Sequence, residues 1–88
     1  MSRFAPAHRS DSNQAEIVKA LRDAGWLTVS LSDVGNGCPD VLAWHQRKGY
    51  RLVEIKTKAG KLEPKQEAFI KAGWPIVILR SVEEALSL

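Results

Sequence analysis

The sequence predicts an α/β domain with a mixed sheet, its elements ordered α-β-β-β-α-β-α, on three observations. Segments with apolar residues at helical spacing are interleaved with short segments in which apolar residues alternate or form β-branched runs. Glycine and proline clusters fall between these segments and punctuate them. Two of the strand segments are joined by the short polar connection Gln46-Arg47-Lys48-Gly49-Tyr50, a hairpin signal. There are no internal repeats, low-complexity tracts or interdomain linkers, so one domain over residues 11–88 is expected behind a loose polar arm, residues 1–10, that carries Arg3, His8 and Arg9.

The first helix is expected from about Ser12 to Ala24, with Asp11 or Ser12 as N-cap, Ile17, Val18 and Leu21 on its apolar face and Gly25 as its stop. Leu27–Leu31 alternates apolar and polar residues and suits a half-buried strand. The turn cluster Asp33-Val34-Gly35-Asn36-Gly37-Cys38-Pro39 is rich in residues that tolerate positive φ. Strands are then expected over Asp40–His45 and Arg51–Lys56. Ala59-Gly60 breaks the run, and Leu62-Glu63-Pro64-Lys65-Gln66 opens a second helix with proline in its first turn, where a missing N–H costs nothing. Ala68, Phe69 and Ala72 are expected to form the buried stripe of that helix and Gly73 to end it. Pro75–Leu79 reads as a fully buried strand, and Ser81-Val82-Glu83-Glu84 as the capping box of a short last helix.

Composition excludes several classes of function. At 88 residues, 44% apolar and 26% charged, the chain has an ordinary globular mix and can bury one modest core, which makes oligomerisation a source of added stability. The longest apolar runs, Val41–Trp44 and Ile76–Leu79, are far too short to span a bilayer, and Met1–Pro6 lacks the apolar core of a secretory signal. The single cysteine, Cys38, excludes an internal disulfide and a cysteine-cluster zinc site and is read as a small packing residue. His8 and His45 are isolated and read as unliganded, while Trp26, Trp44 and Trp74 read as core or interface anchors. A soluble cytoplasmic domain without a membrane partner is expected. The net charge of +3 is unevenly placed, because Arg47–Lys71 carries eight basic residues against three acidic ones. Such a segment suits a polyanion such as nucleic acid, the alternative being a solvated lysine-rich face.

The informative chemistry is Pro39-Asp40 followed by Glu54-Ile55-Lys56. Residues two apart on a strand share a face, so Glu54 and Lys56 project together while Val53 and Ile55 project oppositely and turn inward. A hairpin connection with an odd number of residues puts Asp40 on the face of Glu54 and Lys56, whereas a one-residue slip sends it to the other. Two carboxylates and an ammonium at a strand end make an oxygen-ligand site for a hard divalent cation such as Mg2+. The blander reading of the same spacing is a turn acid and two solvent-facing strand residues.

These residues resemble the VRR-NUC family, a branch of the PD-(D/E)XK nuclease superfamily. The resemblance rests on Gly37-Cys38-Pro39-Asp40-Val41-Leu42, Leu52-Val53-Glu54-Ile55-Lys56-Thr57 and Gly60-Lys61-Leu62-Glu63-Pro64-Lys65-Gln66. It runs on through Ala72-Gly73-Trp74, Ile76–Leu79 and Ser81–Ala85, and so covers most of the chain. It implies a restriction-endonuclease-like core, Asp40 and Glu54 as metal-binding carboxylates, the carbonyl of Ile55 as a further ligand and Lys56 as the catalytic lysine. Gln66 matches a glutamine beside the active site, its other reading being a helix-start cap. Glu16 matches an additional metal or water ligand, its other reading being a solvated surface acid. Lys58, Lys61 and Lys65 lie just beyond the catalytic strand as phosphate contacts.

The function expected from this resemblance is a Mg2+- or Mn2+-dependent DNA endonuclease, like the stand-alone minimal members found in viruses and phages and associated with branched, Holliday-junction-like DNA and DNA repair. Its place would be the cytoplasm of a bacterial or virus-infected cell. Two symmetric cuts need two sites, so a homodimer is expected. The rivals are a non-catalytic DNA-binding domain with the same fold and a small protein–protein interaction domain.

Overall fold

The computed structural model describes residues 13–88, so the polar arm and the proposed Asp11 or Ser12 cap lie outside the described residues. Asn13 stands at the N-cap of α1, Gln14–Asp23, whose Ile17, Ala20 and Leu21 are buried one helical turn apart. β1 (Leu27–Ser30), β2 (Val41–His45) and β3 (Gly49–Ile55) follow as an antiparallel meander, then α2 (Pro64–Lys71), β4 (Ile76–Leu79) and α3 (Val82–Leu86). β4 lies parallel to β3, giving one mixed sheet of order β1-β2-β3-β4. The expected α-β-β-β-α-β order is therefore present. A parallel neighbour requires a crossover, which the segment containing α2 provides. No helix among the described residues is long and apolar enough to cross a membrane.

The core occupies one face of this sheet. Val41, Ala43, Val53, Ile55 and Leu79 point to it and meet Ile17, Ala20 and Leu21 of α1, Ala85 of α3 and the buried indole of Trp26. α1 and α3 also pack against each other, so both helices cover the same side. Ser81 caps α3 by accepting a hydrogen bond from the Glu84 amide at 3.1 Å, while the Glu84 carboxylate accepts from the amide of Arg80 at 2.7 Å.

The opposite face is apolar and largely open, and here three sequence expectations fail. Leu27 pairs with Trp44, and Trp44 with Tyr50; Val29 pairs with Leu42, Leu42 with Leu52, and Leu52 with Ile76. Directly paired residues share a face, so these rows run across the sheet on the side away from α1 and α3. Leu27 is 67% exposed, Val29 54% and Tyr50 68%, so β1 turns its apolar side outward instead of being half-buried by it. β4 is not fully buried either: Ile76, Val77 and Ile78 are half-buried and only Leu79 is closed off. α2 has no buried residue. Ala68 and Ala72 are exposed and Phe69 is half-buried against Trp74, so the expected stripe does not meet the core. The helical spacing is there, but α2 sits at one end of the sheet without a layer to cover that stripe.

Trp26 is a core anchor, ringed by His45 at 5.1 Å, whereas Trp44 and Trp74 belong to the open side. His45 accepts a hydrogen bond from the amide of Arg47 at Nδ1. Cys38 is half-buried in the 31–40 loop.

Candidate active site

The hairpin register places the acids. Val41 pairs with Val53, so Asp40, one residue earlier, comes opposite Glu54 on the same face. The connection is the three residues Gln46–Lys48 rather than five, because Gly49 and Tyr50 extend β3; three is also odd, and the parity is kept. The preceding loop holds Asp40 from both sides. Its carbonyl accepts from Leu31 N–H at 2.8 Å, and its Oδ2 accepts from Ile55 N–H at 2.8 Å. Pro39 before it is fully buried. Gly37 has φ +84°, and a Cβ there would lie 2.5 Å from the Lys65 carbonyl oxygen, so the loop and the start of α2 touch backbone to backbone. Gly37→Ala is expected to destabilise the fold by about 2–3 kcal/mol, combining a left-handed φ with a clash that neither backbone can relieve, measured by urea unfolding.

Glu54 is 3% exposed, so it is not displayed at the surface as a simple strand face suggests. Its Oε2 accepts a hydrogen bond from Gln66 Nε2 at 2.8 Å and lies 3.6 Å from Lys56 Nζ. Burial, and then the charge of Asp40, push its carboxyl up from the usual 4.5 to about 7, against a smaller opposite pull from Lys56. Lys56 is half-buried just past β3. Its amide donates to the Leu79 carbonyl at 3.0 Å, and its carbonyl accepts from Asn13 Nδ2 at 2.9 Å.

Gln66 serves both readings given for it. Its Oε1 accepts from the Glu63 amide at 2.8 Å, closing the first turn of α2, while its amino group reaches Glu54. Asp40, Glu54, Ile55, Lys56 and Gln66 are thus brought to one end of β3. Glu16 is not. It is exposed on α1, and no three His, Cys, Asp or Glu side chains among the described residues gather closely enough to hold a metal. Lys58, Lys61 and Lys65 are exposed along the chain from β3 to α2.

The donor set suits a hard divalent cation. Two carboxyl groups converge here beside one ammonium, and burial first, then the charge of Asp40, disfavours ionised Glu54. Mg2+ typically takes only one or two protein carboxylates, with carbonyl and water oxygens completing its shell, so this pair suffices. A groove of about 670 Å3 between α1 and β1, lined by Lys19, Arg22, Thr28 and Ser30 among others, reaches Asp40.

Two residues of this neighbourhood were not legible from sequence. Asn13 stands at a helix start, yet its side chain bonds to the Lys56 carbonyl 43 residues away rather than to its own helix. Arg80 bonds to the loop after Lys56, and nothing in its local sequence signals that.

Comparison with known proteins gives the same picture. The family model described as VRR-NUC domain matches residues 2–72. A solved structure titled "VRR_NUC domain" is similar at 26% identity, covering 90% of this chain and 91% of its own, with a TM-score of 0.68. A search of curated proteins finds no match.

Proposed function

Because the chain belongs to the VRR-NUC domain family, a nuclease-type domain, we propose that it is a metal-dependent endonuclease that hydrolyses phosphodiester bonds in DNA. The observation that carries this reading is the meeting of Asp40, Glu54 and Lys56 at one end of β3, with Glu54 buried and its carboxyl raised.

Asp40 and Glu54, with the Ile55 carbonyl, would hold Mg2+ or Mn2+. When bound, such an ion supplies Lewis acidity toward a phosphoryl oxygen and makes water a better nucleophile at neutral pH. The chain does the positioning. Ile55 N–H fixes the Asp40 carboxylate, and Gln66 fixes that of Glu54. The Lys56 ammonium, beside Glu54, orients the attacking water and offsets charge that develops on the phosphoryl oxygens. Lys58, Lys61 and Lys65 contact backbone phosphates, which places a duplex without reading its sequence.

The homodimer belongs to the same reading. The open apolar face, with Tyr50, Trp44 and a depression of about 690 Å3 lined by Leu42, Leu52, Trp74 and Ile76 and by Arg51 as its one charged residue, suits a second copy better than a polyanion. A two-fold pair would supply two cuts, as branched DNA requires. Sedimentation is expected to give twice the 9.8 kDa chain mass for the wild type and the single mass for Tyr50→Glu. A monomer at every concentration removes the dimer.

The test of the function is a panel of labelled four-way junction, flap, nicked and linear duplexes incubated with Mg2+ or Mn2+. Metal-dependent cleavage is expected, strongest on the branched substrates. Binding without cleavage under every condition would favour a non-catalytic DNA-binding domain.

A further inference from the structure

Parallel pairing of β3 and β4 brings their ends together, Ile55 beside Leu79. The chain leaves the sheet there twice, as Lys56-Thr57 on one side and as Arg80 on the other. Beyond Lys56, whose amide still bonds to the Leu79 carbonyl, the 57–60 segment has no strand to pair with and closes on itself through Gly60 N–H to the Thr57 carbonyl at 3.1 Å. Its outward carbonyls need donors. Arg80 Nη1 provides them, reaching the Thr57 carbonyl at 2.7 Å and the Gly60 carbonyl at 2.6 Å, with the Lys58 carbonyl at 3.5 Å. The backbone of Arg80 is fixed in turn by the Glu84 carboxylate. Both short contacts come from one terminal nitrogen, whose two N–H groups suffice for the two carbonyls.

The turn so held carries Lys58 and is followed directly by Lys61, between Lys56 on one side and the Gln66 turn of α2 on the other. Like charges three residues apart repel one another, and the turn has no strand partner to keep it shut. We propose that Arg80 is a positioning residue: by clamping the 57–60 turn it presents Lys58 and Lys61 as one phosphate-contacting unit beside the Lys56 end of the site. This rests on the nuclease reading for its purpose, but the clamp itself can be judged without DNA.

The experiment has two arms. In the free protein, Arg80→Gln is expected to speed amide hydrogen exchange at Gly60, whose N–H bonds to the Thr57 carbonyl, at least tenfold while Val53 and Ile55 in β3 keep their protection. Unchanged exchange at Gly60, or equal loss throughout β3, overturns the clamp.

In the second arm, binding to a duplex without divalent metal is measured against salt for the wild type, Arg80→Gln, the pair Lys58→Ala/Lys61→Ala, and all three together. Two lost phosphate contacts lower the slope of log K against log salt by about 2. Arg80→Gln is expected to show that loss by itself and to add nothing in the lysine-pair background. A slope change of about 1 that adds to that of the pair would mean that Arg80 touches phosphate directly, and would overturn the proposal. A wild type that binds no DNA at low salt would sink the nuclease reading, leaving the exchange arm to decide the clamp.

Discussion

Alanine at Lys56 is expected to lower the single-turnover rate of the proposed DNA cleavage by about 10²–10³ while changing duplex binding less than about threefold, as for a group whose charge matters most in the transition state. Its ammonium lies 3.6 Å from the Glu54 carboxylate, and its backbone is tied both to β4 and to Asn13, so it is held at the site by more than its own side chain. Asp40→Ala is expected to lose at least as much, and to lose the response to metal with it, because its carboxylate is one of the two that converge there. A gel assay at saturating protein, run with Mg2+ and with Mn2+, reads both variants. Wild-type rates in both would refute the assigned centre.

The second large effect concerns stability, and its sign runs against the usual one for an acid. A carboxyl raised from 4.5 to about 7 holds its proton more tightly in the folded chain than in the unfolded one. Below about pH 4.5 the group is protonated in both states and imposes nothing. As pH rises from there through 7, the folded state must give up a proton that it retains better, and stability falls. For Glu54 the loss is about 3 kcal/mol, complete a little above pH 7. The groups facing it are Asp40, which sharpens the effect, Lys56, which softens it, and the Gln66 amide.

Glu54→Gln should therefore leave metal-free stability near that of the wild type at pH 4.5 and raise the melting temperature by about 10 °C at pH 8. Adding Mg2+ at pH 8 should raise the wild-type melting temperature and leave the variant unmoved. Calorimetry at the two pH values, with and without the ion, measures all of this. A variant less stable than the wild type at pH 8 would show that burial does not govern the carboxyl. Cleavage should be lost in the same variant, so a residue that lowers metal-free stability above neutral pH is also one proposed to hold the ion.

The sequence made some of this plain and left some of it closed, for physical reasons. Asp40 and Glu54 could be put on one face because side chains alternate along a strand and an odd connection preserves the parity, whether it holds five residues or three. The φ > 0 turn before Asp40 was legible because Gly35, Asn36 and Gly37 are the residues that tolerate it. Which side of the sheet is covered was not legible. Alternation in Leu27–Leu31 says that two faces differ, not which of them a helix will close, and α1 and α3 both chose the face of Val41 and Val53. The stripe Ala68, Phe69 and Ala72 is helical in period, but period alone does not supply a layer to bury it. Asn13 and Arg80 act through carbonyls 43 and 20–23 residues away, the first met only once α1 packs on the sheet and the second only once β4 lies along β3.

Gln66 spends one end of its amide on the first turn of α2 and the other on the buried acid, and α2 has no side chain sunk in the core to locate it otherwise. A shift of the α2 start is therefore passed through one side chain to the carboxylate of Glu54. On the nuclease reading, a duplex pressing on Lys61 and Lys65 would be felt at that carboxylate from the outer surface, much as a guy-rope tensioned at the peg trues the pole.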